Sequence, residues 1–138
     1  MGDRYKVLFL CTHNSARSQM AEGLLRATYP HAYDPYSAGT EPAAVSPYAI
    51  RVMAEIGIDI SGQRSKSVDE FRGVEFDYVV TLCDEARESC PVFLGGKRRL
   101  HQSFEDPAGV QGAEEQVLAA FRRSRDDIRK WIAETFGA

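Results

Sequence analysis

Cysteine is scarce in this chain, with three in 138 residues. That number is odd and too small to staple a secreted fold, which leaves thiol chemistry, metal binding or core packing as the uses of these side chains. Long apolar runs are missing too: none approaches the roughly 18 residues of a membrane helix, so no membrane segment is expected. The start, Met1-Gly2-Asp3-Arg4-Tyr5, leads into a strand pattern and not a signal peptide, which points to the cytoplasm. Met1-Gly2 also opens like a myristoylation site, but Tyr5-Lys6 stands where Ser or Thr is expected. Positive charge is not in excess: 17 Lys plus Arg against 20 Asp plus Glu give a net charge of -3. A basic field for nucleic acid or an anionic membrane is thereby excluded, and any anion must be bound by a local site. Repeats, low-complexity tracts and linker-like composition shifts are absent, so residues 1–138 read as a single domain.

What is present alternates between strand and helix patterns. Tyr5 to Leu10 is a nearly continuous apolar run, the mark of a strand buried on both faces of a parallel sheet. Gln19 to Thr28 carries Met20, Ala21, Leu24 and Leu25 at helical spacing. A second strand is expected around Tyr33 to Ala38. Ser46-Pro47 then reads as an N-cap with a first-turn proline, and Gly57 closes that helix after Ile56. Phe76 to Leu82 is the next buried strand, and Lys97 to Leu100 a short edge strand. Ala113 to Phe136 is a final helix with Val117, Phe121, Ile128 and Ile132 on one face. This order predicts a three-layer α/β fold with a parallel sheet flanked by helices.

The loop after the first strand reads Cys11-Thr12-His13-Asn14-Ser15-Ala16-Arg17-Ser18. Ligands of open α/β sheets gather at the carboxyl ends of strands, and a tight loop feeding a helix N-terminus converges backbone amides on an anion. Residues Thr12 to Ser18 are therefore the candidate oxyanion-binding set. Arg17, placed by a Cys-x5-Arg spacing, brings a planar fork that grips two oxygens. The same surroundings favour the thiolate of Cys11, the form that acts as nucleophile. Ser18 can donate a hydrogen bond to it, while Asn14 and Ser15 fix the loop. His13 reads as a loop side chain with no base to supply, and Glu22 as a local pairing residue.

Cys83 follows the second buried strand, so a parallel sheet brings it to the same edge as Cys11. Asp84 to Ser89 is a helix-forming stretch between Cys83 and Cys90, with Pro91 as a stop. Were it helical, the two cysteines would stand about 10 Å apart, beyond the roughly 4.4 to 6.8 Å between Cα atoms that a disulfide tolerates. The segment would have to unwind on oxidation. Zinc held by Cys11, His13, Cys83 and Cys90 is the competing use, but no close Cys-x2-Cys pair exists, so no metal is expected. Asp106-Pro107 is either an ordinary turn or an acid within reach of the anion, because a neighbouring negative charge favours a protonated carboxyl.

Together these residues resemble the thioredoxin-coupled arsenate reductases, which share the low-molecular-weight tyrosine phosphatase fold. The motifs are Cys11 through Gly23, Ser37-Ala38-Gly39, Ile58-Asp59-Ile60-Ser61, Thr81-Leu82-Cys83 with Cys90-Pro91, and Phe104 through Gly109. The resemblance implies a four-stranded parallel sheet flanked by helices. It also implies a relay: Cys11 attacks arsenate held by Arg17 and the loop amides with Asp106 as acid, Cys83 attacks the adduct, and Cys90 attacks Cys83. Thioredoxin then reduces the Cys83 to Cys90 bond. Phosphate or sulfate can mimic arsenate, and thiol exchange of this kind needs no bound cofactor. This chain departs from some members in having Ala16 where they carry a further cysteine. Where members that bind a stabilising potassium ion have an aspartate, it has Lys66, while Asn14, Glu22 and Ser37 remain. Two other readings stand beside this one. A low-molecular-weight tyrosine phosphatase would use Cys11, Arg17 and Asp106 but has no work for Cys83 and Cys90, and usually shows tyrosine where Ala108 stands. An oxyanion or metal sensor lacks any recognisable DNA-binding feature.

Overall fold

The structure, a computed structural model, describes residues 4–84, 93 and 95–137. Four strands form one fully parallel sheet: β1 (Tyr5–Cys11), β2 (Tyr33–Gly39), β3 (Phe76–Thr81) and β4 (Gly96–His101). Their order across the sheet is β2-β1-β3-β4. The central pair is the pair of continuous apolar runs, since Val7 to Leu10 of β1 and Val80 of β3 are fully buried. Both outer strands show what an edge permits. Pro35 sits in β2, where a missing N–H is tolerated, and its carbonyl accepts from Arg26 (3.0 Å). β4 carries Lys97, Arg98 and Arg99, all exposed.

Three helices complete the layers: α1 (Arg17–Thr28), α2 (Pro47–Ala54) and α3 (Glu114–Phe136). Ser46 caps α2 by accepting from the Ala49 amide (3.4 Å), as its sequence suggests, and Gly57 follows at φ 80°, a conformation glycine adopts without penalty. The main core joins Val7, Phe9, Met20, Leu24, Val52, Met53, Phe121 and Ile128 beneath these helices, and a second cluster on the other face holds Leu8, Leu10, Phe76 and Val79. At the end of the sheet where β1 begins, Tyr33, Tyr78 and Phe136 stack edge to face, with ring centroids 5.0 to 6.3 Å apart, and Tyr5 and Trp131 extend the cluster.

Two helix boundaries differ from expectation by two residues: α2 ends at Ala54, before Ile56, with a turn leading to Gly57, and α1 starts at Arg17, before Gln19. Its first turns bury Arg17, Ser18, Gln19 and Glu22 together with the apolar residues, so the usual polar outer face is missing there. The helix expected at 84–89 and Cys90 lie outside the described residues, apart from Asp84.

Candidate functional site

The loop between β1 and α1 is built from a short reversal held on every side. Asn14 takes a left-handed conformation (φ 49°), which Asn tolerates better than most residues, and is fully buried. Its Oδ1 accepts from the Lys66 amide (2.9 Å) and from Gln19 Nε2 (2.9 Å), while its Nδ2 donates to Ser18 Oγ (2.7 Å). Ser18 Oγ in turn lies 2.9 Å from Cys11 Sγ. The oxygen of Ser18 accepts from Asn14, and toward a thiolate at Cys11, which only accepts, its hydroxyl is the donor. Neighbouring segments clamp the loop backbone: the Glu41 amide donates to the Thr12 carbonyl (2.9 Å), and the Ser46 amide to that of Ser15 (3.0 Å).

A cavity of about 250 Å³ opens above this loop, lined by Cys11, His13, Ser15, Ala16, Arg17, Ala43, Asp106 and Ala108. Cys11 is 2% exposed and carries a free thiol. The N-cap of α1 is Ala16, whose side chain caps nothing, so the positive end of the helix addresses the cavity unscreened by a capping side chain. Arg17 is anchored, not solvated. Its guanidinium donates to the Phe104 carbonyl (3.4 Å) and stands 3.6 Å from Asp106, whose side chain is 40% exposed. Asp106 forms the Asp-Pro turn, its Oδ1 accepting from the Ala108 amide (3.0 Å), while Oδ2 faces Arg17 at the cavity. Ser124 of α3 fixes this turn through the Glu105 carbonyl (3.0 Å). His13 lies at the exposed rim, its Nδ1 donating to the Glu41 carbonyl (3.0 Å), since a carbonyl only accepts.

Cys83 comes to the same edge by register. Leu10 pairs with Thr81, and the Leu82 amide donates to the Leu10 carbonyl (2.9 Å), so Cys83 emerges beside the strand that ends in Cys11. Cys83 is fully buried and disulfide-bonded. Since Cys11 is free, the two are not bonded to each other. Among the described residues no cluster of His, Cys, Asp or Glu forms a metal site.

Two features exceed the sequence reading. Glu22 pairs locally with Arg26 (2.8 Å) as expected, but it is also buried and reaches beyond its helix, accepting from Ser37 Oγ of β2 (2.6 Å) with Lys66 Nζ at 3.7 Å. Burial lowers the Lys66 pKa from the ordinary lysine value, with Glu22 opposing. Lys66 thus meets Asn14 through its backbone amide (2.9 Å) and Glu22, the partner of Ser37, through its side chain, whose Nζ also donates to the Arg64 carbonyl (3.0 Å). The second is Gly39, opposite Cys11 in the sheet register. A Cβ there would lie 2.5 Å from the Thr12 carbonyl oxygen, 2.8 Å from that of Cys11 and 2.9 Å from the Asn14 amide. A glycine closing the second strand, in register with the cysteine closing the first, was the available signal.

A family profile matches residues 6–135, that of the low molecular weight phosphotyrosine protein phosphatases. The chain belongs to this family. Its likeness within the family is to arsenate reductases. It is 48% identical over 126 residues to an arsenate reductase of Halalkalibacterium halodurans, covering 91% of each chain. It superposes on an arsenate reductase solved in the phosphate binding state with a TM-score of 0.80, at 34% identity over 96% of this chain and 97% of that one. A thioredoxin-dependent arsenate reductase of Corynebacterium glutamicum matches at 26% identity and a TM-score of 0.66, over 99% of this chain and 65% of that one. The low-molecular-weight phosphatase fold expected from the motifs is thus the fold observed.

Proposed function

We propose that this protein reduces arsenate to arsenite with electrons passed through Cys11, Cys83 and Cys90, the oxidised form being restored by thioredoxin. The observation that carries the reading is the buried free thiol of Cys11 at an anion-sized cavity, with Cys83 at the end of the adjoining strand. The Cys11 thiolate attacks arsenic while Arg17 and the loop amides hold the oxygens, and Asp106 gives a proton to the departing oxygen as water. Cys83 attacks the Cys11 sulfur; the sulfur–arsenic bond breaks, its electron pair stays on arsenic, and arsenite leaves. The Cys11 to Cys83 disulfide is then opened by Cys90, which frees Cys11. The thioredoxin-dependent relative supports thioredoxin as the reductant, and the cytoplasm as the reducing compartment follows from it. Among the described residues no helix is long and apolar enough to cross a membrane.

The test is thioredoxin-dependent NADPH consumption with arsenate. Cys11→Ser, Cys83→Ser and Cys90→Ser are each expected to abolish turnover. Turnover that survives loss of Cys83 or Cys90 removes the relay and leaves the family's phosphatase chemistry, which Cys11, Arg17 and Asp106 alone can supply.

A further inference from the structure

The hydrogen bonds that brace the nucleophile loop continue past it, and they all run in one direction. Arg26 Nη1 donates to Gln63 Oε1 (3.1 Å), Gln63 Nε2 to Gln19 Oε1 (2.7 Å), Gln19 Nε2 to Asn14 Oδ1 (2.9 Å) and Asn14 Nδ2 to Ser18 Oγ (2.7 Å). Ser18 then meets Cys11 Sγ at 2.9 Å. At every amide a neighbour with a single role forces this polarity. Arg26 only donates, so the Gln63 atom facing it is the oxygen, and the Gln63 nitrogen also meets the Gln19 carbonyl (3.0 Å), which only accepts. Gln19 Nε2 lies against the carbonyls of Arg64 (2.9 Å) and Asn14 (3.0 Å), so it cannot flip. The Lys66 amide, a donor only, fixes Asn14 Oδ1 (2.9 Å).

We propose that Gln63 and Gln19, headed by the Arg26 cation, are positioning residues for Cys11: an aligned chain that polarises the hydrogen bond the Ser18 hydroxyl gives the Cys11 thiolate, which only accepts. Each bond in such a chain polarises the next, strengthening it by about 10–30%. From the nucleophile the chain runs through side chains of α1 and of the loop after α2 and ends at Arg26 in the last turn of α1, well outside the cavity lining. It rests on the reading that Cys11 is the nucleophile. Arg26 also binds Glu22 and the Pro35 carbonyl, so Gln63, half-buried, is the clean point of entry.

The experiment measures iodoacetamide alkylation against pH in the Cys83→Ser/Cys90→Ser protein, where Cys11 is the remaining thiol. Gln63→Met keeps the side-chain length without the amide. It is expected to move the profile upward by about 0.3 to 0.7 pH unit, roughly a 2- to 5-fold slower reaction on the acid limb. Gln63→Glu alters one atom and keeps the acceptor for Arg26 but offers no hydrogen to Gln19. It is expected to move the profile the same way in 1 M NaCl, about a 3 Å Debye length, where its added charge is screened. Ser18→Ala sets the full displacement. If both Gln63 variants leave the profile in place while Ser18→Ala moves it, the chain is refuted and the nucleophile stands. A Gln63 variant that melts earlier with an unmoved profile has a structural role only, which also refutes it. Arsenate turnover retained by Cys11→Ser is a separate result and would sink the proposed function itself.

Discussion

Gly39→Ala is a one-carbon probe of how tightly the nucleophile loop is set. The added Cβ would meet three backbone atoms at 2.5, 2.8 and 2.9 Å, belonging to Thr12, Cys11 and Asn14. Ordinary carbon contacts begin near ~3.5 Å, so the intrusion is roughly half an ångström to one ångström. None of the three atoms can swing aside as a side chain would, because the Thr12 carbonyl is already held by the Glu41 amide and Asn14 by four hydrogen bonds. Overpacking of this kind destabilises by about 1–3 kcal/mol. With an unfolding entropy of ~2.1 cal/mol/K per residue, a chain of this length then melts about 3 to 10 °C lower. Displacing the loop by up to about 1 Å also lowers kcat/KM for arsenate on the order of a hundredfold. Gly62→Ala is the control, since a Cβ there meets nothing within 4 Å. The assays are calorimetry and coupled NADPH oxidation. A Gly39→Ala protein that melts with the Gly62→Ala control and turns over at the parent rate would refute the reasoning.

Three further outcomes are expected. Asp106→Asn lowers kcat by about 10²- to 10⁴-fold, the range of a lost general acid, while Tm hardly changes because the pair with Arg17 is long and half open to water; equal losses in Tm and kcat would contradict that role. With Lys66 beside Glu22, potassium chloride and sodium chloride at equal ionic strength give the same Tm, and a rise specific to potassium would show that the lysine does not take the ion's place. Glu55 has a carboxyl pKa lowered to about 2, chiefly by its hydrogen bond to Arg122 and also by Arg125. Its folded value lies below its unfolded one, so its stabilisation is present above pH 4.5 and is lost as pH falls toward about 2. The Tm of Glu55→Gln should therefore fall less steeply than the parent's across that window.

The sheet was legible where strands are buried on both faces, since β1 and β3 can be nothing but apolar there. β4 was harder to read: at the rim it keeps Lys97, Arg98 and Arg99 in water, and its end by residue type alone is arbitrary. The start of α1 was hidden because the site overrides amphipathic spacing, burying Arg17, Ser18 and Gln19 against the loop they serve. Cys11 and Arg17 announce themselves by type and position, and Asp106 by its proline. Gly39, Gln63 and the Arg64 carbonyl act through closeness between segments more than 20 residues apart, as in Gln63 to Gln19, which local spacing does not encode.

The aromatic cluster of Tyr33, Tyr78, Phe136 and Trp131 sits at the foot of the sheet, where Tyr33 pairs with Tyr5, six steps or about 20 Å of strand from Cys11. The two ends are nonetheless joined: Phe136 meets Phe9 edge to face (6.3 Å), and Trp131 meets Phe104 (6.1 Å), whose carbonyl holds Arg17, so a ring changed at the foot is felt at the crown.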